Sequence, residues 1–69
     1  MAVEKSIDLT ATGATIEEAV SEAVDRARLT LQGLTSFEVE RIEGHLEGQD
    51  IAYRVLVRVS FVIKEQLHE

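Results

Sequence analysis

Residues 34–63 read LTSFEVERIEGHLEGQDIAYRVLVRVSFVI, and this stretch decides the fold. In its second half every second residue is apolar, without a polar interruption, at Ile51, Tyr53, Val55, Val57, Val59, Phe61 and Ile63. A period of two is typical of a strand that buries one of its faces. Glu47–Asp50 forms a tight reversal before it, so the stretch predicts a hairpin of two long strands.

The first strand of this hairpin changes the parity of its apolar residues. Two fall on one parity and two on the other, at Phe37, Val39, Ile42 and Leu46. A strand cannot change its buried face by pleating alone, but a β-bulge near Glu40-Arg41 would allow this change. Alternatively, the second half of the strand faces another subunit. Both interpretations fit a strongly curved sheet.

Upstream of the hairpin, the pattern predicts a strand from Val3 to Thr10 and a helix from Ile16 to Gln32. Thr15 is a suitable N-cap, and Glu18 completes a capping box. Gly33 suits the C′ position, where helices often stop. The apolar face of the helix is rich in small residues that would let it lie close to the sheet, at Ala19, Ala23 and Ala27.

The element order predicts an α+β fold, β-α-β-β, in which a three-stranded antiparallel sheet packs one helix against one face. We expect the opposite face to collect apolar residues mixed with two arginines and a serine, at Ile42, Leu46, Ala52, Leu56, Val62, Arg54, Arg58 and Ser60. An apolar cluster of this size is unusual on the surface of a monomer, and two sheet edges are left open. The face is therefore predicted to be a subunit interface of a homo-oligomer, in which Arg54 and Arg58 meet acidic groups of a neighbour.

Length and composition limit what the chain can be. Its 69 residues predict one domain spanning 1–69, with residues 1–2 and 65–69 frayed. There is no cysteine, and the net charge of −6 argues against a nucleic-acid partner. No apolar run is long enough to span a membrane. The first residues lack the apolar core of a signal peptide, so we expect a cytoplasmic protein.

The chain offers little for catalysis, and we do not expect an enzyme. Its serines have no histidine in a triad arrangement, and its four glycines are too scattered for a phosphate-binding loop. Two histidines, His45 and His68, are too far apart in the sequence for a zinc site within one chain. Acidic side chains would bind Mg²⁺ or Ca²⁺ if subunits converge on an axis, and Glu38 is the first candidate. A solvated acidic face is the alternative.

Several segments, in this order, resemble the dodecins. They are Glu18-Ala19-Val20, Arg26-Ala27, Thr30-Leu31, Phe37-Glu38-Val39, Gly44-His45-Leu46, Tyr53, Val55, Val59 and Phe61. The resemblance extends from about Val3 to Ile63. It implies a sheet that wraps its helix, and a hollow assembly of twelve protomers that binds flavins without catalysis.

The resemblance also implies where a ligand would bind. In the family, a Trp directly before Phe-Glu-Val stacks on the flavin, and a Gln after the aromatic residue of the last strand contacts the ring edge. This chain has Ser36 and Arg54 at these positions, and Glu43 where many members have an Arg that meets a flavin phosphate. His45 matches a family position near the ligand.

Two functions remain open from the sequence. The first is a dodecin-like dodecamer that binds and stores flavin, as FMN or riboflavin. The second is an assembly of the same fold that has lost flavin binding, and that holds a divalent cation or another nucleotide-like ligand such as coenzyme A. Ser36, Arg54 and Glu43 favour the second, and the family resemblance favours the first.

Overall fold

The predicted β-α-β-β order is confirmed. The computed structural model describes residues 2–64, and its elements are β1 (Ala2–Gly13), α1 (Ile16–Thr30), β2 (Leu34–Glu47) and β3 (Asp50–Lys64). The first strand is longer than predicted, and the helix ends two residues earlier, at Thr30 rather than Gln32. Of the ends predicted to fray, Ala2 pairs with Lys64, while residues 1 and 65–69, with His68, lie outside the described residues.

The strand with the unbroken apolar alternation lies at the centre of the sheet. The strand order is β1-β3-β2, and both pairings are antiparallel. As the central strand, β3 is hydrogen-bonded on both sides and has no open edge. Its apolar face lies against α1. The core is the contact between that face and the small residues of α1, and its members are Ala19, Ala23, Ala27, Val55, Val57 and Val59.

The start of α1 is held largely as predicted. The Thr15 hydroxyl accepts a hydrogen bond from the backbone N–H of Glu18 at 3.0 Å. The Glu18 carboxylate accepts from the backbone N–H of Ala14 at 3.3 Å, one residue before the position expected for a capping box. Together these bonds satisfy two backbone donors at the helix start.

The end of α1 differs from the prediction, which placed Gly33 at C′. The C-cap is Leu31, which is extended and donates its N–H to the carbonyl of Ala27 at 2.9 Å. Gly33 is the second residue after this cap, and it has a φ of +76°. Its carbonyl accepts the N–H of Val62 at 3.0 Å. Gly33 therefore allows the loop between α1 and β2 to approach β3 closely, and it does not cap the helix.

A β-bulge explains the change of parity in β2. The register shifts between Val39 and Arg41, which agrees with the first of the two interpretations of the sequence, a bulge near Glu40-Arg41. Beyond this shift Ile42 pairs with Val55, and Leu46 pairs with Ile51. These residues thus belong to the face that packs against α1, and their predicted place on the opposite face was wrong because the extra residue restores the parity. A second shift, between Leu34 and Ser36, was not predicted.

The hairpin is much longer than the helix that covers it. The 15 residues of α1 span about 22 Å, whereas the 14 residues of β2 span about 46 Å. The far end of the hairpin therefore leaves apolar residues uncovered: Ile42, Leu46 and Ile51 are 51%, 82% and 53% exposed. A strip of this kind favours association with another apolar surface. Among residues 2–64 there is no helix with the length and apolar character needed to cross a membrane.

Candidate functional site

The outer face of the sheet, which we define as the face turned away from α1, carries the polar chemistry of the chain. The register places Arg54 of β3 opposite Thr12 of β1 and Glu43 of β2. Four residues further along β3, Arg58 lies opposite Asp8 and Glu38. The prediction that both arginines lie on the face opposite the helix is confirmed.

Three of the four predicted binding residues meet at one place on this face. The Glu43 carboxylate lies between Arg54, with Nη1 at 3.9 Å from Oε1, and His45, with Nε2 at 4.0 Å from the same oxygen. Its other oxygen, Oε2, contacts Nη2 of Arg41 at 2.7 Å. We call these four residues the Glu43 cluster.

Arg41 was missed by the sequence reasoning, although it makes the shortest contact in the Glu43 cluster. The bulge between Val39 and Arg41 places Arg41 opposite Leu56, on the outer face. Because side chains alternate along a strand, Glu43 then points to the same side, two residues later. The bulge was one of two interpretations of the sequence. Together with the alternation of side chains, it was the signal that would have found Arg41.

The Glu43 cluster keeps unused hydrogen-bonding capacity. Nε2 of His45 is buried and has no hydrogen-bond partner among the described residues. Within residues 2–64, Oε1 of Glu43 has only the two contacts near 4 Å, which are longer than a hydrogen bond. Arg54 is about half exposed. A ligand on this face would therefore meet a free acceptor and a free donor side by side.

Ser36 lies far from the Glu43 cluster in the same chain. It is exposed and pairs with Ser60 of β3. Ser36 precedes Glu43 by seven residues, which correspond to roughly 20 Å along a strand. The adjacent ring of Phe37 belongs to the other face of the sheet, because Phe37 pairs with the buried Val59. One protomer therefore does not bring Ser36 to the other predicted binding residues.

Arg58 organises a second group of charges on the outer face. Its Nε donates to Oδ1 of Asp8 at 3.0 Å, and its Nη1 lies 3.8 Å from Oε2 of Glu40. The hydrogen bond that Arg58 donates to Asp8, with the charges of Asp8 and Glu40, raises the pKa of Arg58 above its ordinary value. Within one protomer, acids of the same chain thus face Arg54 and Arg58, and the contribution of a neighbour's acidic groups stays a prediction.

The described residues of one protomer do not form a complete metal site. Within residues 2–64, no three His, Cys, Asp or Glu side chains are grouped so that they could hold a metal ion. Glu38 lies opposite Arg58 in the register and is exposed. Its role as an inter-subunit cation ligand stays a prediction, since it needs oxygen atoms from other copies.

The chain is similar to dodecins in both sequence and structure. The Dodecin family model matches residues 3–64. An arginine-to-alanine variant of the Thermus thermophilus dodecin is 34% identical and superposes with a TM-score of 0.88, over 96% of this chain and 100% of that one. The Streptomyces coelicolor dodecin is 27% identical, with a TM-score of 0.85, over 94% and 96%. No curated protein sequence matches the chain.

A further similar structure is a dodecin of Mycobacterium tuberculosis. It is 29% identical and superposes with a TM-score of 0.79, over 97% of this chain and 99% of that one. That protein is described as a calcium-chelating antigen, a calcium dodecin with a novel calcium-binding site.

Proposed function

This chain belongs to the dodecin family, and from this we propose that it is a non-enzymatic homo-oligomer that binds and stores a flavin-type ligand, riboflavin or FMN. The observation that carries the proposal is the open donor and acceptor of Arg54 and Glu43 on the outer face. Arg54 occupies the position at which the family resemblance predicts contact with the edge of the flavin ring. A ligand that offers hydrogen-bonding groups along one edge would complete this pair.

Self-association is part of the proposal, because one protomer is incomplete in two ways. Ile42 and Leu46 leave apolar surface uncovered beyond the end of α1, and burial of such surface drives association. In addition, Ser36 lies at the opposite end of the sheet from the Glu43 cluster. The predicted binding residues would come together only between copies, which suits the dodecamer that the family resemblance predicts.

A divalent cation is the second candidate ligand. Ser36 provides no ring to stack on a flavin. Asp8, Glu38 and Glu40 face Arg58 on the outer face, and a cation there would need further oxygen atoms from other copies. Carboxylate oxygens are the ligands that Ca²⁺ and Mg²⁺ prefer. The similar structure from Mycobacterium tuberculosis is named a calcium dodecin, which favours Ca²⁺ among the divalent cations. Coenzyme A, a further nucleotide-like ligand, belongs to the same alternative.

The deciding experiment combines two measurements on one sample. Light scattering gives the mass of the assembly, and a titration with riboflavin and FMN follows the quenching of flavin fluorescence. We expect a mass near that of twelve protomers together with quenching. The same mass without quenching would contradict the flavin ligand, and calorimetric titrations with Ca²⁺, Mg²⁺ and coenzyme A on the chelator-treated protein would then test the second candidate. A monomeric mass would contradict the assembly.

Ser36→Trp tests the flavin interpretation more directly. A ring at this position should stack on the flavin and tighten binding by about threefold to tenfold, in line with ring pairs in proteins. Ser21→Trp is the matched control, because Ser21 is exposed on α1, remote from the outer face. If both variants bind flavin equally, position 36 is not part of the flavin site.

A further inference from the structure

The two oxygens of Glu43 lie in different environments. Oε2 forms an ion pair with Nη2 of Arg41 at 2.7 Å. Oε1 faces Nη1 of Arg54 at 3.9 Å, beyond hydrogen-bonding distance. The carboxylate is thus fixed by one oxygen and keeps the other as an open acceptor, next to an open donor.

An acceptor beside a donor is complementary to a ring edge on which an N–H lies next to a carbonyl. The pyrimidine-dione edge of a flavin has this pattern, since its N3–H lies between two carbonyl oxygens. We propose that Oε1 of Glu43 accepts the ring N3–H while Arg54 donates to the adjacent carbonyl, and that Arg41 is the positioning residue that keeps Oε1 available. This inference rests on the proposed flavin function and assigns the atoms that recognise the ring.

Arg41 acts by keeping Glu43 and Arg54 apart. The bulge brings Arg41 to the outer face, two residues before Glu43 and on the same side of β2. If Arg41 were absent, the carboxylate would be free to turn towards Arg54, directly opposite on β3. A short ion pair between the two would satisfy both groups with each other. The donor and acceptor would then no longer be offered to a ligand.

The surroundings of the pair suit a flat heterocycle. Thr10 and Leu56 line a shallow depression of about 220 Å³ together with Arg41, Glu43 and Arg54. Leu56 pairs with both Thr10 and Arg41 in the sheet, so it lies at the centre of this surface. An apolar side chain next to the polar pair supports a ring and lowers the local dielectric constant, which strengthens the hydrogen bonds.

If Oε1 of Glu43 accepts the ring N3–H, the affinity of the protein for the flavin should depend on this hydrogen. Lumiflavin and 3-methyllumiflavin have the same ring, but the second has a methyl group in place of this hydrogen. We expect the protein to bind lumiflavin about tenfold to a hundredfold more tightly, as for loss of a hydrogen bond to a charged group. Fluorescence titration with each compound measures the ratio. Equal affinities would overturn the inference and leave the flavin function intact, whereas binding of neither compound would overturn both.

Arg41→Ala tests the positioning role. The variant should bring the ratio of the two affinities close to one, and Arg41→Lys should restore part of it, because a lysine can still hold Oε2. Arg26→Ala is the matched control, since it removes an exposed arginine that pairs with Glu22 on α1. Arg41 is 69% exposed, so we expect its removal to leave the fold intact, and light scattering checks the assembly. An unchanged ratio in Arg41→Ala would overturn the role of Arg41.

Discussion

Replacing Gly33 with alanine tests the tightest backbone approach that the fold makes outside its regular elements. Gly33 has a φ of +76°, and a Cβ added there would lie 2.8 Å from the carbonyl oxygen of Val62. The Gly33 carbonyl also accepts the N–H of Val62 at 3.0 Å. These contacts fix the loop between α1 and β2 against β3, so the loop cannot move away without losing a hydrogen bond.

The expected cost has two sources. A left-handed conformation costs a residue with a Cβ about 1–2 kcal/mol. Relief of the 2.8 Å contact must displace backbone atoms rather than a flexible side chain, and displacements of this kind cost about 1–3 kcal/mol. Alanine loses less conformational entropy than glycine on folding, which offsets about 0.4–1 kcal/mol. We therefore expect Gly33→Ala to lower the free energy of unfolding by about 2–4 kcal/mol.

Substitutions at two other glycines distinguish the conformational cost from the cost of the close contact. Gly48 has a φ of +66° but open space around its Cβ position, so Gly48→Ala should cost only the conformational part, about 1 kcal/mol. Gly44 has open space and no positive φ, so Gly44→Ala should raise the free energy of unfolding by about 0.4–1 kcal/mol. Urea unfolding at one protomer concentration measures all three, because assembly makes stability depend on concentration. If Gly33→Ala loses no more than Gly48→Ala, the approach to Val62 does not determine the cost.

Three further predictions address the helix start, the second charged group and the outer face. Thr15→Ala should cost about 1 kcal/mol in urea unfolding through loss of the N-cap, and Thr15→Ser should retain most of it; equal losses would contradict the cap. Asp8→Asn should leave the free energy of unfolding almost unchanged at high salt, because the pair with Arg58 is about half exposed. Since the pKa of Arg58 is raised, the charge of Arg58 persists as pH rises, so the effect of Asp8→Asn should be the same at pH 7 and pH 10. Val62→Asp should dissociate the assembly by burying an unpaired charge; an unchanged elution volume in size exclusion would show that this position is not in an interface.

The sequence predicted those features whose signals are local. Thr15 caps the helix because its hydroxyl reaches the N–H of Glu18, three residues later. The alternation in β3 predicted the buried face at Val55, Val57 and Val59, since a strand must place every second residue on the same side. The two parities within one strand indicated a bulge near Glu40-Arg41 as one of two interpretations, and the register shifts between Val39 and Arg41. Each inference needed only a few neighbouring residues.

Features that depend on contacts between distant segments were missed. Gly33 fits a helix C′ position by its sequence neighbours alone, and only the approach of β3 at Val62 shows its actual role. Ile42 and Leu46 were placed on the wrong face because the bulge was considered but not carried through to the residues beyond it. Arg41 was missed for the same reason. A register shift of one residue reverses every later assignment in the strand, so one unresolved bulge affected both the core and the site.

The departures of this chain from the family pattern at positions 43 and 54 form one physical unit. Glu43 and Arg54 are directly opposite each other on β2 and β3, and opposite charges at such cross-strand positions stabilise a sheet while like charges destabilise it. An arginine at position 43 would face Arg54 and lie two residues from Arg41, which would bring three guanidinium groups together. A glutamate at this position instead neutralises part of that charge and provides an acceptor that an arginine lacks. Considered alone, the negative charge of Glu43 should repel a phosphate. Together, Glu43 offers an acceptor and Arg54 a donor, the two groups that one glutamine amide would otherwise supply.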